Sequence, residues 1–307
     1  MKTESRLEKV LTSGALAVTS EVGPPRGVDP EIVKTKANMI KDHVDGINVT
    51  DNQTAMVRMS SMAAGVIIKQ MGLDPIIQMV TRDRNRLAMQ SEIIGASAFG
   101  IDTMLCLSGD HPKFGDHPMA KSVYDIDSIQ LIQTVKDMRD EGKFQGGADM
   151  KGRPNMYIGA AANPFADPFE LRVMRLAKKA KAGVDFVQTQ CIFNLDKFEL
   201  WMKGVEDREL DKEVHVLAGI TPMKSVGMAR YMKNKVPGMD IPDEVIKRLA
   251  GVSKEQQPEE GIKIAVESIE RLKETKGVHG FHIMAIEWEE RVPEIVEQAG
   301  LYPRPQF

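Results

Sequence analysis

From residue 14 onward the chain alternates between short runs of consecutive apolar residues and longer stretches in which apolar positions return every third or fourth residue. A short unbroken run suits a strand covered on both faces, and the three-to-four spacing suits a helix with one buried face. Eight such runs occur, at 15–22, 46–49, 76–80, 103–107, 156–161, 186–189, 214–220 and 280–286, and a helical stretch follows each. The spacing predicts helices over 30–42, 60–71, 84–99, 127–141, 168–182, 195–204 and 224–234, with two more, 243–249 and 258–276, ahead of the eighth run.

Local signals mark the boundaries. Asp29 ahead of Pro30 is a capping residue before a first-turn proline. Gly72, Gly100 and Gly183 follow the ends of three helical stretches, where a residue tolerant of left-handed backbone is favoured. Along 127–141, Ile129, Ile132, Val135 and Met138 recur on one face. Eight β-then-α units in 307 residues close most economically into an α/β (β/α)8 TIM barrel, because open doubly wound sheets ordinarily have fewer strands. The expectation is one barrel domain over residues 1–307, with the extra helices before the eighth strand inserted into the barrel order. No Pro/Gly/Ser linker or low-complexity tract divides it.

Composition narrows the functional classes. With 41 basic against 44 acidic residues and a pI near 6.1 there is no electrostatic footprint for nucleic acid or an anionic membrane. Cys106 and Cys191 both sit in strand-like runs, so they read as buried small hydrophobes; two cysteines give no disulfide framework, and no Cys/His spacing for zinc occurs. The apolar piece 15–18 is too short for a signal segment or a membrane span, and a cytoplasmic protein is expected. Aromatic residues make up only 5% while methionine reaches 20, which predicts an aliphatic, Met-filled core.

In such a barrel the residues that close each strand share one mouth. Here they are Glu21, Thr50 with Asp51, Thr81, Ser108 with Gly109 and Asp110, Asn163, Gln190, Thr221 and Glu287. Any one polar residue at a strand end is simply where a chain meets water; it is their convergence that points to a site. The run 103–107 ends in Gly109, Asp110 and Pro112, so a buried strand delivers a carboxylate to a surface. Glu21 interrupts the first run just before the rigid Pro24-Pro25 corner, where burial of its carboxyl would raise its pKa and suit it to general acid work. Gln190 offers a donor and an acceptor in one planar group, which suits a heterocycle with amide-like edges. The repeated Gly-Asp-His-Pro at 109–112 and 115–118 reads as turn chemistry, since His111 and His117 lack metal-ligand spacing, and no metal is expected. Arg172, Arg175, Lys178 and Lys179 read as a solvated charged face, with phosphate steering as the alternative.

With these residues in view the chain resembles the methylenetetrahydrofolate reductase family, flavin-dependent (β/α)8 barrels of one-carbon metabolism. The resemblance rests on Ser20-Glu21-Val22-Gly23-Pro24-Pro25-Arg26, Asn48-Val49-Thr50, Leu107-Ser108-Gly109-Asp110-His111-Pro112, Ala182-Gly183-Val184 leading to Thr189-Gln190, and Gly280-Phe281-His282. It implies that Glu21 takes the position of the catalytic glutamate, Asp110 that of the aspartate near flavin and pterin, and Gln190 that of a folate-contacting glutamine. It implies further that Thr50, Thr81, Ser108, Gly109, Tyr124, Asn163 and Lys179 contact a flavin. In the family, reduced flavin passes hydride from N5 to the folate-bound methylene, giving 5-methyltetrahydrofolate; flavin and folate stack, so reductant and folate would use one space in turn.

The chain departs from the family pattern where the cofactor binds. It has Val22-Gly23 after the glutamate in place of an aromatic-rich segment, Thr81 where a histidine is usual, Ser108 in place of arginine, and Ala161-Ala162-Asn163-Pro164-Phe165 in place of Tyr-Pro…His-Pro. Lost polar contacts lower the affinity for a dinucleotide, which favours FMN over FAD. The resemblance implies NAD(P)H or a protein electron donor as reductant, a zinc- or iron–sulfur-containing partner subunit in the partnered type of such reductases, and an oligomer. Two other readings stand beside it: a pterin-binding methyltransferase barrel without flavin, and a non-catalytic barrel subunit.

Overall fold

The computed structural model describes residues 1–307. In chain order the elements are α1 (Arg6–Thr12), β1 (Ala17–Val22), α2 (Pro30–Ile40), β2 (Gly46–Val49), α3 (Ser61–Gln70), β3 (Pro75–Val80), α4 (Arg86–Ala98), β4 (Thr103–Leu107), α5 (Ser128–Asp140), β5 (Tyr157–Ala162), α6 (Glu170–Ala182), β6 (Phe186–Cys191), α7 (Leu195–Glu206), β7 (His215–Ile220), α8 (Val226–Lys235), α9 (Asp243–Ala250), α10 (Gln257–Lys273), β8 (Val278–Ile283) and α11 (Val292–Gln298). The eight strands form a closed parallel barrel in sequence order, β1 pairing with β8 through Ala17 to Gly280 and Ser20 to Ile283. The (β/α)8 fold expected from the periodicity is the fold observed. No helix is long and apolar enough to cross a membrane.

The apolar residues fall into an outer and an inner set because side chains alternate across each strand. The outer set, 56 buried residues such as Val18, Ile47, Met104, Val187 and Phe281, packs the strands against the helices. The inner set holds Ala17, Ile76, Leu105, Tyr157, Phe186 and Leu217 at the strand-entry end of the barrel. Glycines leave room for it: a Cβ at Gly159 would lie 2.3 Å from the Phe186 ring, and one at Gly46 would lie 2.8 Å from Ile76. Leu7, Val10 and Leu11 of α1 close that end, packing on the inner set with exposures of 1%, 0% and 3%. This helix was not expected from the sequence, whose strand-and-helix alternation begins only at residue 14. Its signals are short but present: Ser5 caps it by accepting from the Glu8 amide, and its apolar residues stand at i, i+3 and i+4.

Buried aspartates tie the strand entrances together. Asp45, just before β2, accepts from the Val18 amide at 2.8 Å and pairs with buried Arg304 at 3.1 Å. Asp185, just before β6, accepts from the Ile158 amide and from Arg139, both at 2.7 Å. At the eighth strand the apolar run 280–286 overruns the sheet. The strand ends at Ile283, and the chain then turns, with the Trp288 amide donating to the Ala285 carbonyl at 2.9 Å while Ala285 stays in the outer core. Glu287 therefore lies in a turn at φ 48° and not at a strand end.

If α1 is the plug described, Leu7→Ala leaves a cavity at the barrel floor and costs about 3 kcal/mol. Urea denaturation would show this as a lower midpoint with an unchanged slope.

Candidate active site

The middle of the barrel is polar. Asn48 on β2 and Gln188 on β6 face each other across the interior and exchange two hydrogen bonds, at 2.7 and 3.0 Å. Gln188 also donates to the Thr19 hydroxyl at 3.1 Å, and Thr19 Oγ1 meets His282 Nδ1 at 2.9 Å. All four residues are buried, and burial pushes the His282 imidazole down to about 3, so the ring is neutral at physiological pH. This layer is internally satisfied, and the next side chain inward along β1 after Thr19 is Glu21.

Glu21 lies at the closing end of β1. The following Pro24-Pro25 corner is pinned by Arg58 Nη1, which donates to the Pro24 carbonyl at 3.0 Å, and by the Met59 amide, which donates to Pro25 at 2.9 Å. The carboxyl opens on a cavity of about 40 Å³ whose lining includes Lys36 of α2, Gln53, Arg58, and Glu287 and Glu289 beyond β8. Its pKa rises from 4.5 to about 7; loss of hydration is the main cause and the negative charge of Glu289 adds to it, while Lys36 and a hydrogen bond from Gln53 work the other way. A carboxyl with that affinity holds a proton near neutral pH and can release it, which is what a general acid requires.

A second group of predicted residues meets where β3 and β4 end. The Thr81 amide donates to Leu107 at 3.0 Å, the Arg82 amide to Ser108 at 3.1 Å and the Tyr124 amide to Thr81 at 3.2 Å, which sews the long β4–α5 segment back onto β3. Gly109 adopts φ +84°, and a Cβ there would press on Val80 at 3.0 Å, so the turn demands glycine. Tyr124 Oη donates to the Gly109 carbonyl at 3.4 Å. Asp110 is exposed, and its carbonyl accepts from Arg82 Nη1 at 2.9 Å. Arg82 itself is buried, with its other donors held by Asp83 and the Asn52 carbonyl. The hydroxyls of Thr50 and Thr81, both buried, have no hydrogen-bond partner.

A third group forms a cavity of about 220 Å³ at the ends of β5 and β6, lined by Ala161, Ala162, Asn163, Gln190 and, from α6, Arg172, Arg175, Leu176 and Lys179. Asn163 Oδ1 accepts from the amides of Phe165 and Ala166, at 2.9 and 3.1 Å, and so shapes the rim. Lys179 is buried and donates to the Ala161 carbonyl; burial first, and Arg175 second, pull its ammonium down to about 8. The solvated-face reading of this helix therefore holds for Lys178, which is exposed, but not for Lys179. The periodicity did not separate them because α6 turns one side to the sheet and its neighbours on the helix reach a cavity.

The predicted residues thus occupy three stations around one rim: Glu21; Thr81, Ser108, Gly109, Asp110 and Tyr124; and Asn163, Lys179 and Gln190. Thr50 lies between the first two, its hydroxyl 4.0 Å from where a Gly23 Cβ would stand. Lys36 and Glu289 were missed, since no motif marks them and only folding brings them to Glu21. Asp51 and Arg84 were also underrated: buried Asp51 accepts from the Val80 amide at 3.0 Å and from Arg84 at 2.7 Å, fixing the end of β3. His111 accepts from the Lys113 amide at 3.2 Å and His117 bonds Asp116 at 2.9 Å, so both serve turns.

A family model described as methylenetetrahydrofolate reductase matches residues 6–300. Among curated relatives, a Caenorhabditis elegans protein named "Probable methylenetetrahydrofolate reductase (NADPH)" is 22% identical over 80% of this chain and 35% of its own length. Methylenetetrahydrofolate reductase 2 of Schizosaccharomyces pombe is 25% identical over 67% of this chain and 32% of its own. The chain spans about a third of the length of these relatives. A solved Clostridium thermocellum structure, described as an uncharacterized protein that binds two copies of 5-methyl-5,6,7,8-tetrahydrofolic acid, superposes with a TM-score of 0.62 at 15% identity, covering 96% of this chain and 98% of that one. Its likeness is one of fold.

The raised pKa of Glu21 has a stability consequence. Between 4.5 and about 7 the folded chain holds a proton that the unfolded chain has lost, so stability falls as pH rises through that window and the loss is complete above about 7. Glu21→Gln removes the loss: thermal melts should find the variant more stable than the wild type at pH 8, by at most about 3 kcal/mol, and no more stable at pH 4.

Proposed function

The chain belongs to the methylenetetrahydrofolate reductase family, and on that premise we propose that it reduces the methylene group of 5,10-methylenetetrahydrofolate to a methyl group, with Glu21 as the general acid. The observation that carries this is the carboxyl of Glu21, desolvated at the barrel mouth and holding its proton up to about pH 7. The substrate's five-membered ring must open before the one-carbon unit can accept hydride. Proton transfer from Glu21 to N10 breaks the N10–methylene bond and leaves a cationic iminium at N5. Asp110, exposed on its turn and negatively charged, would hold the pterin and offset that positive charge. Gln190, with donor and acceptor in one plane, would meet the amide-like edge of the pterin.

Flavin, when bound in reduced form, supplies the hydride from N5. The residues present fit such a group: Thr50 and Thr81 carry buried hydroxyls without protein partners, and Arg172, Arg175 and Lys179 line a cavity suited to a phosphate. Ser108, Gly109, Tyr124 and Asn163 complete the proposed contacts. FMN is favoured over FAD, because Ser108 offers no cation and the nearby guanidinium of Arg82 is already engaged by Asp83, Asp110 and Asn52. The reductant is NAD(P)H or a protein electron donor, the latter through a zinc- or iron–sulfur-containing partner subunit.

The purified chain should show a flavin absorption spectrum and release FMN on denaturation, identified by mass spectrometry. Release of FAD would overturn the FMN preference, and a colourless protein that takes up no added flavin would overturn the reductase in favour of a pterin methyltransferase. In the flavin-loaded protein, Glu21→Gln should lower methylenetetrahydrofolate turnover about 10²–10⁴-fold while leaving flavin bound. Asp110→Asn should lower kcat/KM for the folate on the order of 10²-fold; unaltered folate affinity and rate would remove Asp110 from the site.

A further inference from the structure

Glu21 does not face its cavity alone. Lys36 of α2 and Glu289, six residues beyond the end of β8, line the same space of about 40 Å³, which is about the room of one water molecule. Lys36 Nζ donates to Glu289 Oε1 at 2.6 Å, with the Glu289 side chain 7% exposed and that of Lys36 23% exposed. The carboxyls of Glu21 and Glu289 and the Lys36 ammonium thus share one small space, which Arg58 and the exposed Glu287 also line. Lys36 can pair closely with only one of these two carboxyls, and ionising the other out of water without a hydrogen-bonded cation of its own is costly. The ammonium is hydrogen-bonded to Glu289, and the proton then belongs on the carboxyl that lacks the cation.

We infer that Glu289 and Lys36 are positioning residues acting through Glu21: their ion pair commits the Lys36 ammonium to Glu289 and so leaves Glu21 as the carboxyl that keeps the proton in the resting site. What the proton is used for rests on the function proposed above; the electrostatic arrangement does not. The groups that face Glu21 from the surrounding elements are consistent with this. Glu289 raises its proton affinity and Lys36 lowers it, Gln53 contributes a hydrogen bond, and Arg58 is held by the Pro24 carbonyl. Glu287 lines the cavity from the same turn as Glu289, and Cys191, a thiol that burial keeps protonated up to about 11, lies within reach of the Glu21 charge from β6.

The pair makes a signed prediction. Removing the negative partner frees Lys36 to stabilise a Glu21 carboxylate, so Glu289→Gln should move the Glu21 titration midpoint down, by about one unit or more. Removing the cation should do the opposite, so Lys36→Met should move it up, and the double variant should return it toward the wild type. The measurement is infrared titration of the carboxylic C=O band in protein without flavin or folate, the Glu21 band being the one lost in Glu21→Gln. Opposite shifts in the single variants with recovery in the double variant are the expected result. Midpoints that do not move, or that move the same way in both single variants, would overturn the assignment. If Glu289→Gln fails to fold, as circular dichroism would show, the sign of the Lys36→Met shift decides. A chain that binds no flavin and turns over no folate would sink the proposed function and leave this titration readable; if both stand, the alkaline limb of the turnover pH profile, where Glu21 loses its proton, should move with the infrared midpoint in each variant.

Discussion

The pairing of β1 with β8 is the constraint on which the rest depends. Closing the ring satisfies the last unpaired strand edges, and it does so in one register, Thr19 opposite His282. Residues 263 positions apart in the chain are thereby held at hydrogen-bond distance. A slip of one residue would turn Thr19, Glu21 and His282 out of the barrel and bring Val18 and Phe281 in, because side chains alternate across a strand. The same closure carries the chain beyond β8 up beside α2, and this is how Glu289 comes to Lys36 and both come to Glu21.

Inside the ring the side chains are layered by what the surroundings tolerate. The strand-entry end is apolar and plugged by α1, the middle is a hydrogen-bonded set in which Asn48, Gln188, Thr19 and His282 meet one another, and the mouth carries the groups whose needs the protein does not fully meet. Glu21 is short of water, Thr50 and Thr81 are short of partners, and Lys179 is a buried cation beside other cations. Unmet polar groups cost stability, and the gathering of Thr50, Thr81 and Arg58 with the desolvated Glu21 at one end of the barrel is what a binding site requires. The self-contained middle layer matters for function as well, since a rigid floor fixes where Glu21 stands.

Much of this was legible without coordinates. The strands and most helices follow from period, the turn at Gly109 from its glycine and proline neighbours, and the mouth from the rule that ligands gather where parallel strands end. The failures share a cause. Helix α1 has too few residues to show a period, and the run 280–286 stays apolar past the strand because Ala285 is buried in a turn, which hydropathy cannot tell from a strand. On α6, Lys178 and Lys179 are indistinguishable as letters, and a rotation of one position separates a solvated ammonium from a buried one.

What the sequence by itself determined is everything that depends on neighbours along the chain: the alternation of strand and helix, the capping residues, the glycines of the turns, the order of the barrel, and the strand ends at which Glu21, Asp110 and Gln190 would stand. What only the tertiary structure decided is everything that depends on distance through space. The proton affinity of Glu21 is set by lost water and by charges from α2 and the segment after β8, the cationic cavity at Asn163 and Gln190 is completed by α6, and the end of β3 is held by an aspartate from β2. Hydrogen bonding and periodicity are local and leave their mark in order; desolvation and Coulomb interaction act between residues that the chain keeps far apart, and they take their values only once the barrel is closed.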